Sequence, residues 1–194
     1  SRVEEYNAVL FDFFIKGENM FSKYKPTWML EAIYQITPEQ LEKQGVKAIL
    51  ADLDNTLIAW DNPNGTEELR AWLATMAAAK IPVIVVSNNN HDRVAKALTA
   101  LNLDFIARAL KPFPRGINQA LTRLNLPKEA VIMVGDQIMT DIKAAHSAGV
   151  RSVLVKPVIA TDSWKTQFNR LLERRIMKYL LAKNPEMKWQ GELK

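Results

Sequence analysis

The 194-residue chain contains no cysteine. Disulfides, thiolate metal sites and cysteine nucleophiles are therefore excluded, and a reducing, cytoplasmic setting is the expected one. Long apolar runs are also missing, and nothing approaches the roughly 20 residues that span a bilayer. The stretch AVLFDFFI at 8–15 is broken by Asp12 and preceded by Glu4 and Glu5 instead of basic residues, so it does not read as a signal peptide. There is no internal repeat and no low-complexity tract. Most of the chain also lacks an excess of either charge. Residues 1–155 carry 17 basic and 17 acidic side chains, whereas residues 156–194 carry 9 basic and 4 acidic, so the net charge of +5 lies in the tail.

What is present is a chain 48% hydrophobic, long enough for one well-buried α/β domain with extensions. From residue 46, short β-rich runs (VKAILADL, PVIVVS, FIARAL, AVIMVG, RSVLVKPV) alternate with helix-period segments (EELRAWLATMAAAK, HDRVAKALTAL, RGINQALTRL, TDIKAAHSAG). Repeated β-α predicts a parallel sheet with helices on both faces. Before it, TPEQLEKQG reads as a short capped helix; Thr140 or Asp141 starts a later helix and Gly149 ends it. Three segments result: an extension and lead-in helix at 1–45, a catalytic domain at 46–160 and a basic tail at 161–194.

In open parallel sheets, ligands bind beyond the carboxyl ends of the strands. Asp52 and Asp54 end the first predicted strand, Ser87 and Asn88 the second, and Asp136 the fourth, while Lys111 follows the third. A carboxylate can attack phosphorus to give an aspartyl-phosphate that water hydrolyses. Attack of anion on anion needs neutralisation, and Mg²⁺ bridging Asp52, Asp136 and a phosphate oxygen would provide it. Lys111 would add a second positive charge, and the Ser87 hydroxyl with nearby N–H groups would hold the other phosphate oxygens. Asp54 would serve as acid and base toward the leaving alcohol and the attacking water. Taken singly, D-x-D-x-T is a short pattern, Ser-Asn-Asn makes an ordinary turn, Lys-Pro suits a solvated loop and Asp141 can cap a helix. Their coincidence at four strand ends, in order, points to one crevice.

With these motifs in DLDNT, VVSNN, LKP and GDQIMTD, residues 46 to about 158 resemble the haloacid dehalogenase (HAD) superfamily of phosphatases. The resemblance implies a Rossmann-like five-stranded parallel sheet of order 5-4-1-2-3 and a nucleophile at Asp52. It also implies an acid/base at Asp54 whose backbone carbonyl reaches Mg²⁺, and a direct metal ligand at Asp136. Asp141, and with it Thr56, would stand behind the metal ligands and orient its waters or Lys111. Members often insert a cap domain between these motifs, but only 35 positions separate Asp52 from Ser87 and 24 separate Ser87 from Lys111. No large cap fits, and an open site suits phosphates on bulky carriers. From near Phe21 onward the chain is similar to the capless IIIA group typified by the YqeG proteins and relatives that dephosphorylate phosphatidylglycerophosphate. That likeness implies a lipid phosphate substrate and sets residues 1–19 apart as an upstream segment.

Alternatives in other classes are a phosphatase for a soluble or macromolecular phosphate and a phosphate- or RNA-binding module. The paired carboxylates disfavour a purely binding role, and no DNA partner is expected. Asn88, and less so Asn89, is a candidate phosphate contact. His91 is a surface residue or a substrate contact, His146 a structural one, and Trp60 touches substrate or packs. In the tail, Phe168, Leu171, Leu172, Ile176, Tyr179 and Leu180 fall at helical spacing, flanked by Arg170, Arg174 and Lys178. This stripe can pack on the domain or a second subunit, or lie on an anionic bilayer at the inner face of the membrane with Trp164 and Trp189 at the interface.

Overall fold

The computed structural model describes residues 21–59, 62, 64–158 and 164–194, with side chains of the last segment from Arg170 onward. Residues 1–19, Trp60 and the side chains of Trp164 and Phe168 lie outside the described residues. Six strands form one sheet: β1 (Trp28–Leu30), β2 (Ala48–Ala51), β3 (Val83–Val86), β4 (Asp104–Ile106), β5 (Val131–Gly135) and β6 (Arg151–Val155). Their order is β1-β6-β5-β2-β3-β4, and all pairings are parallel. Central β2 pairs Leu50 with Ile84 on one side and with Met133 on the other. Its four residues are all buried, which explains a continuous apolar run in place of alternation.

The five strands from β2 onward have the expected order. The sheet nevertheless has six strands, because β1 adds to the β6 edge with Trp28 opposite Val153. Three buried residues are too short a run to show a period, so the sequence of 1–45 carries no sign of this strand. The tail also belongs to the domain. Gln190 N donates to Met29 O at 2.8 Å, Trp28 Nε1 donates to Lys194 O at 2.8 Å, and Leu193 is buried in the main core. These contacts cover part of the open edge of β1.

The helices divide between the two faces. Helix α1 (Pro38–Lys43) begins where Thr37 Oγ1 accepts from Gln40 N at 3.3 Å, as the capping pattern predicts. Helices α2 (Glu67–Ala78) and α3 (His91–Leu98) bury Leu69, Trp72, Met76, Val94 and Leu98 against Ile49, Val83, Val85 and Ile132. On the other face, α4 (Arg115–Leu124) and α5 (Lys143–Ala148) bury Ile117, Ala120, Ala144 and Ala145 against Leu50, Ile84, Val86 and Met133. Gly149, at φ 72°, ends α5 as expected.

The start of that helix differs from the sequence expectation. A π-helical turn, Ile138–Ile142, precedes α5, so Asp141 lies inside the turn and not at its cap. Such turns carry one residue too many for the α-helical ladder and recur at functional sites. Finally, α6 (Trp164–Lys183) buries Ile176 and Leu180 against Met29, Ile138, Ile142 and Leu154, leaving Leu171, Leu172 and Leu181 exposed. None of the described helices is long and apolar enough to cross a membrane.

Candidate active site

The carboxyl ends of β2, β3 and β5 and the loop after β4 meet as the sheet geometry requires. Asp52 leaves β2 with its N–H still bonded to Val134 O at 2.9 Å, which fixes the residue to the neighbouring strand. Lys111 Nζ donates to Asp52 Oδ1 at 2.6 Å and to Asp141 Oδ1 at 2.7 Å, and its side chain is only 3% exposed. The Lys111 backbone is clamped by Asn88, whose Oδ1 accepts from Lys111 N at 2.7 Å while its Nδ2 donates to Lys111 O at 2.9 Å. The Asn88 side chain thus spends both ends on positioning Lys111. The loop is tightened by Ser87 Oγ, which accepts from Asn89 N at 3.2 Å.

Asp52, Asp136 and Asp141 bring oxygens within 4.8 Å of one another. Their partners separate their roles. Both oxygens of Asp141 are engaged, Oδ1 accepting from Lys111 and Oδ2 from Gln137 N at 3.1 Å. Asp136 Oδ1 accepts from Thr56 Oγ1 at 3.3 Å. The Oδ2 atoms of Asp52 and Asp136 have no hydrogen-bond partner among the described residues. Three carboxylates around one ammonium leave two negative charges uncompensated, and the donors are all hard oxygens. The residues therefore fit a small divalent cation such as Mg²⁺, with Asp52 and Asp136 as its ligands and Asp141 and Thr56 behind them. The Asp54 carboxylate is not in this cluster. It accepts from Asn89 Nδ2 at 2.6 Å, lies 3.5 Å from Arg93 and is 41% exposed on its side chain.

The charge deficit shows in the proton affinities. Burial pushes the Asp52 carboxyl up to about 7 against the pull of Lys111, with Asp141 reinforcing the rise. Asp136 is pushed to about 8 by burial, then by Asp141 and Asp52. Burial works against the charge on Lys111, but Asp141 and Asp52 outweigh it and hold the ammonium above its usual range. Without a cation, the folded chain keeps protons on Asp52 and Asp136 that the unfolded chain releases near 3.8. Their contribution to stability is full below that value and is lost as pH rises through about 7 and 8. A divalent cation held by Asp52 and Asp136 would replace those protons. The rise in melting temperature on adding Mg²⁺ to chelator-treated protein should thus be larger at high pH than at low, and an increment independent of pH would contradict this account.

Sequence reasoning did not single out Gly135. A Cβ there would lie 2.3 Å from the Asp141 carboxylate, so the strand ends in glycine because Asp141 occupies the space. The available signal was a glycine directly before the aspartate. Gly135→Ala should push Asp141 off Lys111 and lower turnover by roughly 10- to 100-fold, a loss of positioning of the usual size. A variant with wild-type turnover would show that Asp141 has room to move. Asn89 and Arg93 were not paired with Asp54 either, since a cross-element hydrogen bond leaves no trace in spacing. His91 sits at the start of α3, 5.1 Å from the Phe105 ring, outside the carboxylate cluster. His146 is exposed on α5.

The parallel sheet thus gathers paired aspartates, a buried lysine and two further carboxylates at one edge, as in an α/β enzyme with its site at the strand ends. The sequence profile of the haloacid dehalogenase-like hydrolases matches residues 2–149, and the chain belongs to that family. It is 40% identical over 167 residues to a Bacillus subtilis (strain 168) protein described as "Probable phosphatase YqeG", covering 86% of this chain and 96% of that one. Among solved structures, an uncharacterized protein from Listeria monocytogenes serotype 4b superposes with a TM-score of 0.48 at 17% identity, over 69% of this chain and 99% of that one. CbbY from Rhodobacter sphaeroides in complex with phosphate superposes with a TM-score of 0.45 at 16% identity, over 61% and 90%.

Proposed function

We propose that this hydrolase is an Mg²⁺-dependent phosphomonoesterase that works through an aspartyl-phosphate, an acyl phosphate, on Asp52 and acts on a phosphate carried by a lipid, such as phosphatidylglycerophosphate. The observation that carries the chemistry is Lys111, held between Asp52 and Asp141 beside Asp136, with Asp54 next along the chain. A carboxylate oxygen of Asp52 attacks phosphorus as the bond to the leaving oxygen breaks, and Asp54 gives that oxygen its proton. Asp54 then takes a proton from the water that attacks phosphorus, returning Asp52 and inorganic phosphate. Lys111 and the N–H groups after Ser87 stabilise the charge that gathers on the phosphoryl oxygens. A bound divalent cation would supply the remaining neutralisation.

The lipid substrate is supported by the spacing between the motifs, which is filled by α2, β3, α3 and β4 with no inserted domain among the described residues, and by the likeness to the capless IIIA group. The exposed Leu171, Leu172 and Leu181 beside the tail's basic residues leave apolar surface for a peripheral contact. The test is a substrate panel with phosphatidylglycerophosphate in mixed micelles, sugar phosphates, nucleotides and phosphopeptides, with and without chelator. The expected result is chelator-sensitive hydrolysis, fastest on the micellar substrate. Undiminished activity in excess chelator would sink the metal assignment, and a soluble ester as best substrate would sink the lipid one.

A further inference from the structure

Beside the reaction centre, a cavity of about 310 Å³ opens between the end of β6 and α6, with Asp136 in its wall. That is at the small end of ligand-site volumes, enough for one leaving group. Its remaining lining has no part in moving a phosphoryl group. Leu154, Met177 and Trp189 form an apolar side, and Arg174 contributes a cation from α6. Asn55, the neighbour of Asp54 in sequence, also lines the cavity.

One of these groups lacks the partner its burial asks for, and another is an exposed cation. Among the described residues, Asn55 Oδ1 is the buried side-chain acceptor with no hydrogen bond. Such an atom is costly to bury unless something supplies a donor. The loop that presents it is fixed, since Asn55 O accepts from Val158 N at 2.9 Å and Asn55 N donates to Ile58 O at 2.8 Å. Arg174 has no ion-pair partner among the described residues. The other cations in the lining are committed elsewhere: Lys156 pairs with Glu31 at 2.7 Å and lies over the Trp189 ring at 5.0 Å, and Arg170 acts on Glu173 in the same wall. The wall carrying Arg174 is anchored, because Ile176 and Leu180 are buried and Glu173 accepts from Met139 N at 3.0 Å.

We propose that this cavity is the leaving-group subsite and that it selects phosphomonoesters whose alcohol carries a second anionic group. Arg174 pairs with that anion, and Asn55 Oδ1 accepts from a hydroxyl of the same alcohol. The apolar side covers the alcohol's carbon atoms. This rests on the phosphatase function proposed above. The second anion could belong to a soluble phosphorylated acid or to the phosphodiester of a lipid, and the two sources are separable.

The test compares kcat/KM of the full chain with Mg²⁺ on glycerol 3-phosphate, which has hydroxyls but no second anion, on 3-phosphoglycerate and on phosphatidylglycerophosphate in mixed micelles. Wild type should prefer at least one anion-bearing ester over glycerol 3-phosphate. Arg174→Gln should shrink that preference by roughly tenfold, mainly through KM, and Arg174→Glu should shrink it further. Arg175→Gln, on the neighbouring residue outside the cavity lining, should leave the preference as it is. Loss on the micellar ester alone assigns the anion to a lipid, and loss on 3-phosphoglycerate as well assigns the subsite to soluble acids too. Hydrolysis without any preference, or a preference untouched in both Arg174 variants, overturns the subsite and leaves the phosphatase function standing. No hydrolysis of any ester by wild type overturns both.

Discussion

Asp52→Asn is expected to cut the turnover of every phosphomonoester by roughly 10³-fold or more, the scale of losing a covalent nucleophile. The asparagine is isosteric, so it fills the same space at the end of β2 and keeps the N–H bond to Val134 O. It cannot attack phosphorus to form the covalent intermediate. The fold should not suffer. Lys111 retains Asp141 at 2.7 Å, and the change removes a buried carboxylate that raises the proton affinity of Asp136. Chelator-treated variant protein should melt at or above the wild-type temperature near pH 8, since active sites commonly hold unfavourable charge at the expense of stability. The measurements are steady-state turnover on several esters and a thermal melt, on protein checked for deamidation. Residual turnover within tenfold of wild type would remove Asp52 from the covalent step. A large fall in melting temperature would mean that the lost activity reports unfolding.

Much of this site is legible in the sequence because strand ends are. β2, β3 and β5 are buried on both faces, so their residues form unbroken apolar runs that stop where the sheet stops, and Asp52, Ser87 and Asp136 stand at those stops. The cap at Thr37 and the stop at Gly149 are local and are written locally. Pairings across elements are not. Nothing in the spacing says that Asn88 turns to the Lys111 backbone or that Asn89 reaches Asp54. Nor does it say that a π-helical turn places Asp141 where Gly135 leaves room. The tail shows the same limit. Its apolar stripe is readable, but the sequence does not say that Ile176 and Leu180 close over Met29 and Leu154 while Leu171 and Leu181 face water. Deleting residues 165–194 would therefore strip part of the core as well as any membrane contact. The single change at Arg174 is the cleaner probe.

Lys111→Met is expected to abolish measurable turnover and also to destabilise the metal-free protein by roughly 3 kcal/mol near pH 8, the usual scale for removing one partner of a buried ion pair. Methionine replaces the apolar stem, but Asp52 and Asp141 are left facing each other with no cation between them. Asn88 holds residue 111 through its backbone, so the loop itself should keep its shape. The pH dependence follows from the sign of the shift. Lys111 is what holds the Asp52 carboxyl down to about 7 against its burial, so without it the carboxyl rises further. A carboxyl raised in the folded state contributes stability that is present at low pH and lost as pH climbs through its folded pKa. The gap between variant and wild type should accordingly be smaller near pH 5, where Asp52 is protonated in both and the lost Lys111–Asp141 pair alone contributes, and widen toward pH 8. Urea unfolding in chelator at the two pH values measures it, and a gap of equal size at both would show that Lys111 does not hold down the Asp52 carboxyl. Adding Asp141→Asn should recover much of the stability, because the second buried carboxylate goes with the cation it needed, while turnover stays lost. A double variant no more stable than Lys111→Met alone would mean that Asp141 is not the group Lys111 neutralises.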